Sequence, residues 1–231
     1  MTIPVAEVSS AGASPVYGFR DPGTLTRWLK LFLYLSIAIG ALSLLSGLLE
    51  LKLLTEMQAG RPLAPGEAAG NDLRQRIIAG FRFVNLIVVI VLFCIWIYRA
   101  NYNARQLGAT DMQFSPGWAV GWYFIPFANL WKPYQAMREI WQASAAATHW
   151  QQQPRGGILP LWWTFFLLSN FLSNISFRLS LWAKTLPDFI LASGVSAVGD
   201  VVDVVSTIIA LILVTQIFRM QMARRAAEAF A

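Results

Sequence analysis

Twenty-two consecutive residues without a charge, 156–177, bound what this chain can fold into, because about 20 apolar residues of helix cross the hydrocarbon core of a bilayer. Three more uncharged runs accompany them: 31–49 (19 residues), 83–98 (16) and 204–218 (15). In lipid every backbone amide must be bonded within the protein, and runs of this length argue helices rather than the alternating strands of a barrel. The expected fold is all-α, a polytopic helical membrane protein. Only 13% of the residues are charged, where a soluble domain carries about a quarter. The Trp and Tyr residues gather near the ends of the runs (Trp28, Tyr98, Trp131, Trp162, Trp163, Trp182), where amphipathic rings favour the headgroup layer.

Spanning helices are expected over about 25–55, 72–107, 157–180 and 198–225, with a Pro- and Gly-rich loop over 58–71. Residues 1–24 lack the basic and apolar regions of a signal peptide and read as a flexible polar tail. Thr24 or Thr26 would cap the first helix. Residues 25–225 then form a single helical membrane domain, and 226–231 a short C-terminal tail.

The segment 114–144 is unlike the spans. It is apolar enough to enter a bilayer, yet Pro116, Pro126 and Pro133 with Gly117 and Gly121 interrupt it, and lipid cannot replace a backbone bond that proline removes. Its second half places Tyr134, Met137, Trp141 and Ser144 on one helical face, as an interfacial helix would. A re-entrant or interfacial hairpin is expected, with a fifth span as the alternative. Four spans put eleven Lys and Arg on the side of both termini and six on the other, leaving Arg82 inside a span. Five spans give a weaker split of seven against ten. The basic side is favoured as cytoplasmic, so four spans with both termini inside are expected.

The central string, from Phe114-Ser-Pro-Gly-Trp-Ala-Val-Gly-Trp-Tyr-Phe-Ile-Pro-Phe-Ala-Asn-Leu-Trp-Lys-Pro to Tyr134-Gln135, follows Tyr98-Arg-Ala-Asn-Tyr-Asn-Ala-Arg-Gln-Leu-Gly108. Together they resemble the DUF4328 family of bacterial multi-pass membrane proteins. The resemblance runs over roughly 27–225. It implies a bacterial inner-membrane protein of this fold and carries no substrate, cofactor or catalytic residue.

Polar side chains inside spans are the remaining clue, since each is costly at depth unless paired or hydrated. Arg82 and Asn85 lie three apart; Asn170, Asn174 and Arg178 follow a spacing of four; Asp200 and Asp203 share a face at the expected start of the last span. Arginines facing aspartates would compensate one another, either as a packing lock between helices or as a polar cavity for a polar ligand or lipid headgroup. On the hairpin, Trp118, Trp122, Trp131, Trp141 and Met137, with Pro126, Asn129 and Pro133 setting its shape, form either an interfacial anchor or a docking face.

Other classes lack their residues. No phosphate-binding glycine loop and no Ser-His-Asp set is present, and the basic residues are dispersed rather than clustered for nucleic acid. Asp200 and Asp203 have no acidic motif on another span, so they make no metal pair or intramembrane protease. Cys94, the single cysteine, and His149, the single histidine, have no metal-binding neighbours in sequence. No metal, cofactor or enzymatic activity is expected. The two function classes left are a membrane interaction or scaffold protein docking through the hairpin, and a small oligomeric transporter, channel or lipid binder using the Arg and Asp residues. The partners expected are the bilayer and either another protein or further copies of the chain.

Overall fold

The computed structural model describes residues 18–146 and 148–229. Among them all regular structure is helical: α1 (Gly23–Gln58), α2 (Glu67–Gln106), the short α3 (Pro116–Gly121), α4 (Lys132–Ala145), α5 (Ile158–Trp182) and α6 (Leu186–Ala229). Single 3₁₀ turns lie at Trp122–Phe124, Ala128–Leu130 and Trp150–Gln152. Four of the helices, α1, α2, α5 and α6, are long and apolar enough to cross a membrane.

Helix α6 is the centre of the bundle, packing along α1 on one side and α5 on the other, while α1 also packs on α2. Helices α2 and α5 do not pack along their lengths. The hairpin of α3, its two 3₁₀ turns and α4 fills the gap between them at one end. There Phe114, Ala119, Ala136, Met137 and Ile140 join Trp96, Trp162 and Ile217 of the spans in one buried core. The outer sides of the spans are apolar: Leu42, Leu45, Phe81, Val84, Phe171 and Phe177 are each at least 58% exposed. Such a surface suits lipid, which is as apolar as the side chains it meets.

Both termini of the described chain lie at the hairpin end. The Asn103 side chain accepts from the Arg20 N–H (3.0 Å) and donates to the Arg20 carbonyl (2.8 Å). The Arg225 guanidinium lies 4.8 Å from the centre of the Phe19 ring. Gln221 donates to the Ala100 carbonyl and the Ser144 hydroxyl (2.8 and 2.9 Å). An even number of crossings follows, which sets the five-span alternative aside.

Four boundaries differ from expectation. Helix α2 starts at Glu67, because Gly60 and Gly66 adopt φ of +90° and +83° and close the loop within 59–66. Helix α6 starts at Leu186, twelve residues early, where Asp188 accepts the N–H groups of Lys184 and Thr185 (3.1 and 2.9 Å) in a capping arrangement. Ser193, Gly194, Ser196 and Gly199 do not interrupt it: without water to compete for the backbone the helix runs through them. Helix α1 begins at Gly23, whose N–H donates to the Asp21 carboxylate (2.8 Å). Thr26 is therefore inside the helix and accepts from Trp96 Nε1 (3.2 Å) instead of capping. The polar tail lies outside the described residues through position 17, and the last helix, expected to end at 225, continues to Ala229.

Gly40 marks the closest approach of α1 to α6: a Cβ there would lie 2.7 Å from Val204 Cγ2, whereas one at Gly47 would meet nothing within 4 Å. Gly40→Ala should therefore lower the melting temperature in detergent, by an overpacking cost of about 1–3 kcal/mol. Gly47→Ala should leave it unchanged or raise it slightly through helix propensity. Equal effects at both positions would contradict the close contact.

Candidate functional site

Asp200 and Asp203 are one turn apart and share a face of α6, so one guanidinium on a neighbouring helix reaches both. That guanidinium is Arg82 of α2. Its Nη1 bonds Asp200 Oδ1 closely and its Nη2 donates to Asp203 Oδ2 at 3.0 Å. The remaining carboxylate oxygens are taken by hydroxyls: Ser43 of α1 donates to Asp200 Oδ2 (2.8 Å) and Ser169 of α5 to Asp203 Oδ1 (3.0 Å). Ser43 also accepts from Arg82 Nη1 at 3.3 Å. Every carboxylate oxygen thus has a donor, with the donors drawn from α1, α2 and α5 and both carboxylates from α6.

The cluster lies within the apolar belt. Arg82 is six residues inside Arg76, roughly 9 Å, and Ser43 nine residues inside Lys52, roughly 14 Å. Asp200 and Asp203 are the fifteenth and eighteenth residues of α6, not its first turn, so the arginine and the hydroxyls hold their charge rather than a helix terminus. The Asp200 side chain is 4% exposed, while those of Arg82 and Asp203 are 35% and 36% exposed.

The other expected members do not join. Asn85 is buried one turn from Arg82, but its Nδ2 donates to Ser36 Oγ of α1 (2.6 Å). Asn170 and Asn174 are exposed and donate back to Phe166 and Asn170 carbonyls of their own helix (2.7 and 3.1 Å). Arg178 is exposed on the same outward side of α5. The face these three share is thus the wrong one: α5 turns Ser169, not Asn170, towards α6. Ser43 and Ser169 were missed because a lone serine in a span is indistinguishable from one bonding its own helix. Among the described residues no group of three or more His, Cys, Asp or Glu could hold a metal ion.

The hairpin is broken where its prolines stand. Ala128 N–H donates to the Pro126 carbonyl (2.8 Å) across Phe127, whose φ of +63° and ψ of −51° form a strained γ-turn. Asn129 N–H donates to Ile125 (3.0 Å), and Pro133 is buried in the first turn of α4. Trp163 Nε1 donates to the Leu130 carbonyl (2.9 Å), and Trp163 lies five residues, roughly 8 Å, along α5 from its first residue, Ile158. The tip therefore packs beside the first turns of a candidate span. Trp118 and Trp131 are 54% and 48% exposed, as are Phe124, Phe127 and Leu130, at 66%, 78% and 50%. Met137, expected on the docking face, is core at 1% exposure. Trp122 is half-buried beside Trp118 and Lys132, and Trp141 half-buried against Gly156, where a Cβ would lie 2.5 Å from the ring.

The loop entering the hairpin is stapled from both sides. Arg105 donates to the Met112 and Phe114 carbonyls (3.0 and 2.8 Å), and Asn101 to the Phe114 carbonyl (3.1 Å). The Glu139 carboxylate of α4 accepts the N–H groups of Gln113 and Phe114. Burial pushes the Glu139 carboxyl above its ordinary value, and those two N–H groups with Arg105 and Arg138 oppose the shift.

The Arg82 cluster predicts a rank order of stability. Arg82→Gln leaves two unpaired carboxylates and should be the most damaging. Asp200→Asn should follow, with a loss of about 3–5 kcal/mol for a partner removed from a buried pair. Asp203→Asn should cost least, since Arg82 and Asp200 still neutralise one another. Combining Arg82→Gln with Asp200→Asn should recover part of the Arg82→Gln loss, because fewer lone charges remain. Melting temperatures of the purified variants test this, and strictly additive losses would contradict it.

No curated protein and no solved structure matches the chain. A family model, described as a domain of unknown function, matches residues 59–219, from the loop between α1 and α2 through the hairpin and into α6. That match covers well over half of the sequence, and the chain belongs to the DUF4328 family.

Proposed function

We propose that the protein is a non-catalytic membrane interaction or scaffold protein whose re-entrant hairpin docks a transmembrane helix of a partner protein. Phe127 carries this reading. It is the most exposed of the large apolar side chains, at 78%, yet it sits in a backbone conformation that costs a non-glycine residue roughly 1–3 kcal/mol. Strain of this kind persists where the surrounding structure holds it. Anchoring in lipid needs no such geometry, whereas presenting one ring at a fixed angle does. The tip's depth supports a membrane-embedded partner over a soluble one. A second reading, a polar cavity for a ligand or ion, draws support from the one-third exposure of Arg82 and Asp203. Against it stand the complete pairing of their carboxylates and the hairpin plugging one end of the bundle.

In this reading the protein lies in the bacterial inner membrane with both termini cytoplasmic, as the eleven-to-six distribution of basic residues favours. Single cysteines in a Cys94→Ser background test the orientation. Gly66→Cys should react with an impermeant thiol reagent in whole cells, while Thr110→Cys and Ala227→Cys should be protected. The reverse pattern would invert the protein.

For docking, a photo-reactive amino acid at Leu130 should yield one discrete protein adduct in native membranes. Phe127→Gly should abolish that adduct while leaving the melting temperature unchanged or raised, since the strain is relieved. An adduct of twice the chain's own mass would identify a second copy as the partner. Lipid adducts alone, or an adduct indifferent to Phe127→Gly, would reduce the hairpin to an anchor and reject the docking role.

A further inference from the structure

At the hairpin end, α4 and the loop leading into α5 enclose a pocket of about 160 Å³ that neither the Arg82 cluster nor the hairpin tip uses. Arg138 and Arg155 reach it from these two elements, with Gln113, Gln135, Gln142 and the Trp150 ring among the other lining groups. Glu139 also lines it, but both its oxygens are engaged by the Gln113 and Phe114 N–H groups. Two guanidiniums against one carboxylate leave the lining with a net positive charge.

Three observations point to its ligand. Among the described residues the Arg138 and Arg155 side chains make no hydrogen bond or salt bridge, whereas the Arg105 and Arg224 guanidiniums of the same end donate to backbone carbonyls. The two stand seventeen residues apart on different elements, so their convergence on one cavity is made by the fold. Arg155 lies three residues before Ile158, the first residue of α5, which sets the pocket at the level where a span enters the bilayer. Guanidinium forks match the oxygens of a phosphate, and headgroup phosphates occupy that level. The buried Trp150 ring adds an apolar wall for the carbon part of a phosphate ester.

We infer that this pocket is a phosphate-binding site, with Arg138 and Arg155 as the phosphate ligands. The phosphate comes either from a lipid headgroup or from a soluble phosphate monoester. Gln135 and Gln113 supply further donors from α4 and the hairpin loop. The site is independent of the docking role of the tip, and neither residue belongs to the lock.

The test uses the full-length protein in a neutral detergent at constant ionic strength, titrated with dihexanoyl phosphatidic acid, with glycerol 3-phosphate and with inorganic phosphate. Melting temperature and calorimetric heat are both read. Saturable binding is expected, with a rise of several degrees, and the Arg138→Gln/Arg155→Gln variant should require at least about tenfold more ligand. A response to the short-chain lipid alone assigns the site to headgroups. An equal response to glycerol 3-phosphate assigns it to a soluble ester. No saturable heat in the wild-type protein with any of the three overturns the inference, whatever the variant does. So does an unchanged response in a folded double variant, which would make the effect one of bulk charge.

Discussion

One arginine shared by two carboxylates holds this bundle in register. Helix α2 is the least embedded span, with only 6% of its most apolar stretch buried, so contact area alone fixes it poorly against α6. Arg82 supplies what packing does not. It ties α2 to two positions on α6, and the serines on α1 and α5 complete the carboxylate shells from the other sides. In water such a pair would compete with solvent and contribute little. Within the apolar belt the alternative is an unsatisfied charge, so the arrangement specifies which helices meet and at which depth. Gly40 belongs to the same design: without a side chain there, α1 comes close enough for Ser43 to reach Asp200.

The hairpin solves a different problem. A chain that turns back inside a membrane must find partners for backbone groups that no regular helix satisfies. Here the partners are side chains at the end of α2, on α4 and on α5. Asn101 and Arg105 take the carbonyls of the entering loop, Glu139 takes its N–H groups, and Trp163 takes the Leu130 carbonyl at the tip. The polar run after Tyr98 thus continues the α2 helix beyond the bilayer because the hairpin needs its side chains there.

Much of this was legible in the sequence, for physical reasons that also mark where reading stopped. Run length and the prolines at 116, 126 and 133 gave four spans and a broken hairpin, because lipid makes both constraints strict. The pairing of Arg82 with Asp200 and Asp203 followed from the cost of lone charges at depth. Arg178 was a wrong candidate since it lies near a span end, where a long side chain reaches the interface and needs no partner. Asn170 and Asn174 failed because periodicity identifies a shared face without saying which face turns inward. Glu139 falls off the helical face shared by Tyr134, Met137, Trp141 and Ser144, so nothing in the local pattern marks it for burial. The loop that buries it is a tertiary contact twenty-five residues away, beyond any local pattern.

These two ends differ in how they treat polarity, and that difference bears on function. Deep in the bundle every carboxylate oxygen is bonded and the one guanidinium is doubly paired, so a ligand there would have to displace contacts that hold the helices together. At the hairpin end Arg138 and Arg155 make no hydrogen bond or salt bridge among the described residues, in a pocket wide enough for a small anion, on elements that the lock does not reach. A fold that saturates its buried charges in one region and leaves two arginines unbonded in another keeps the groups that hold the helices together apart from those open to an anion. Substitutions at Arg138 and Arg155 should therefore leave the bundle folded, while those in the lock change the stability of the bundle as a whole.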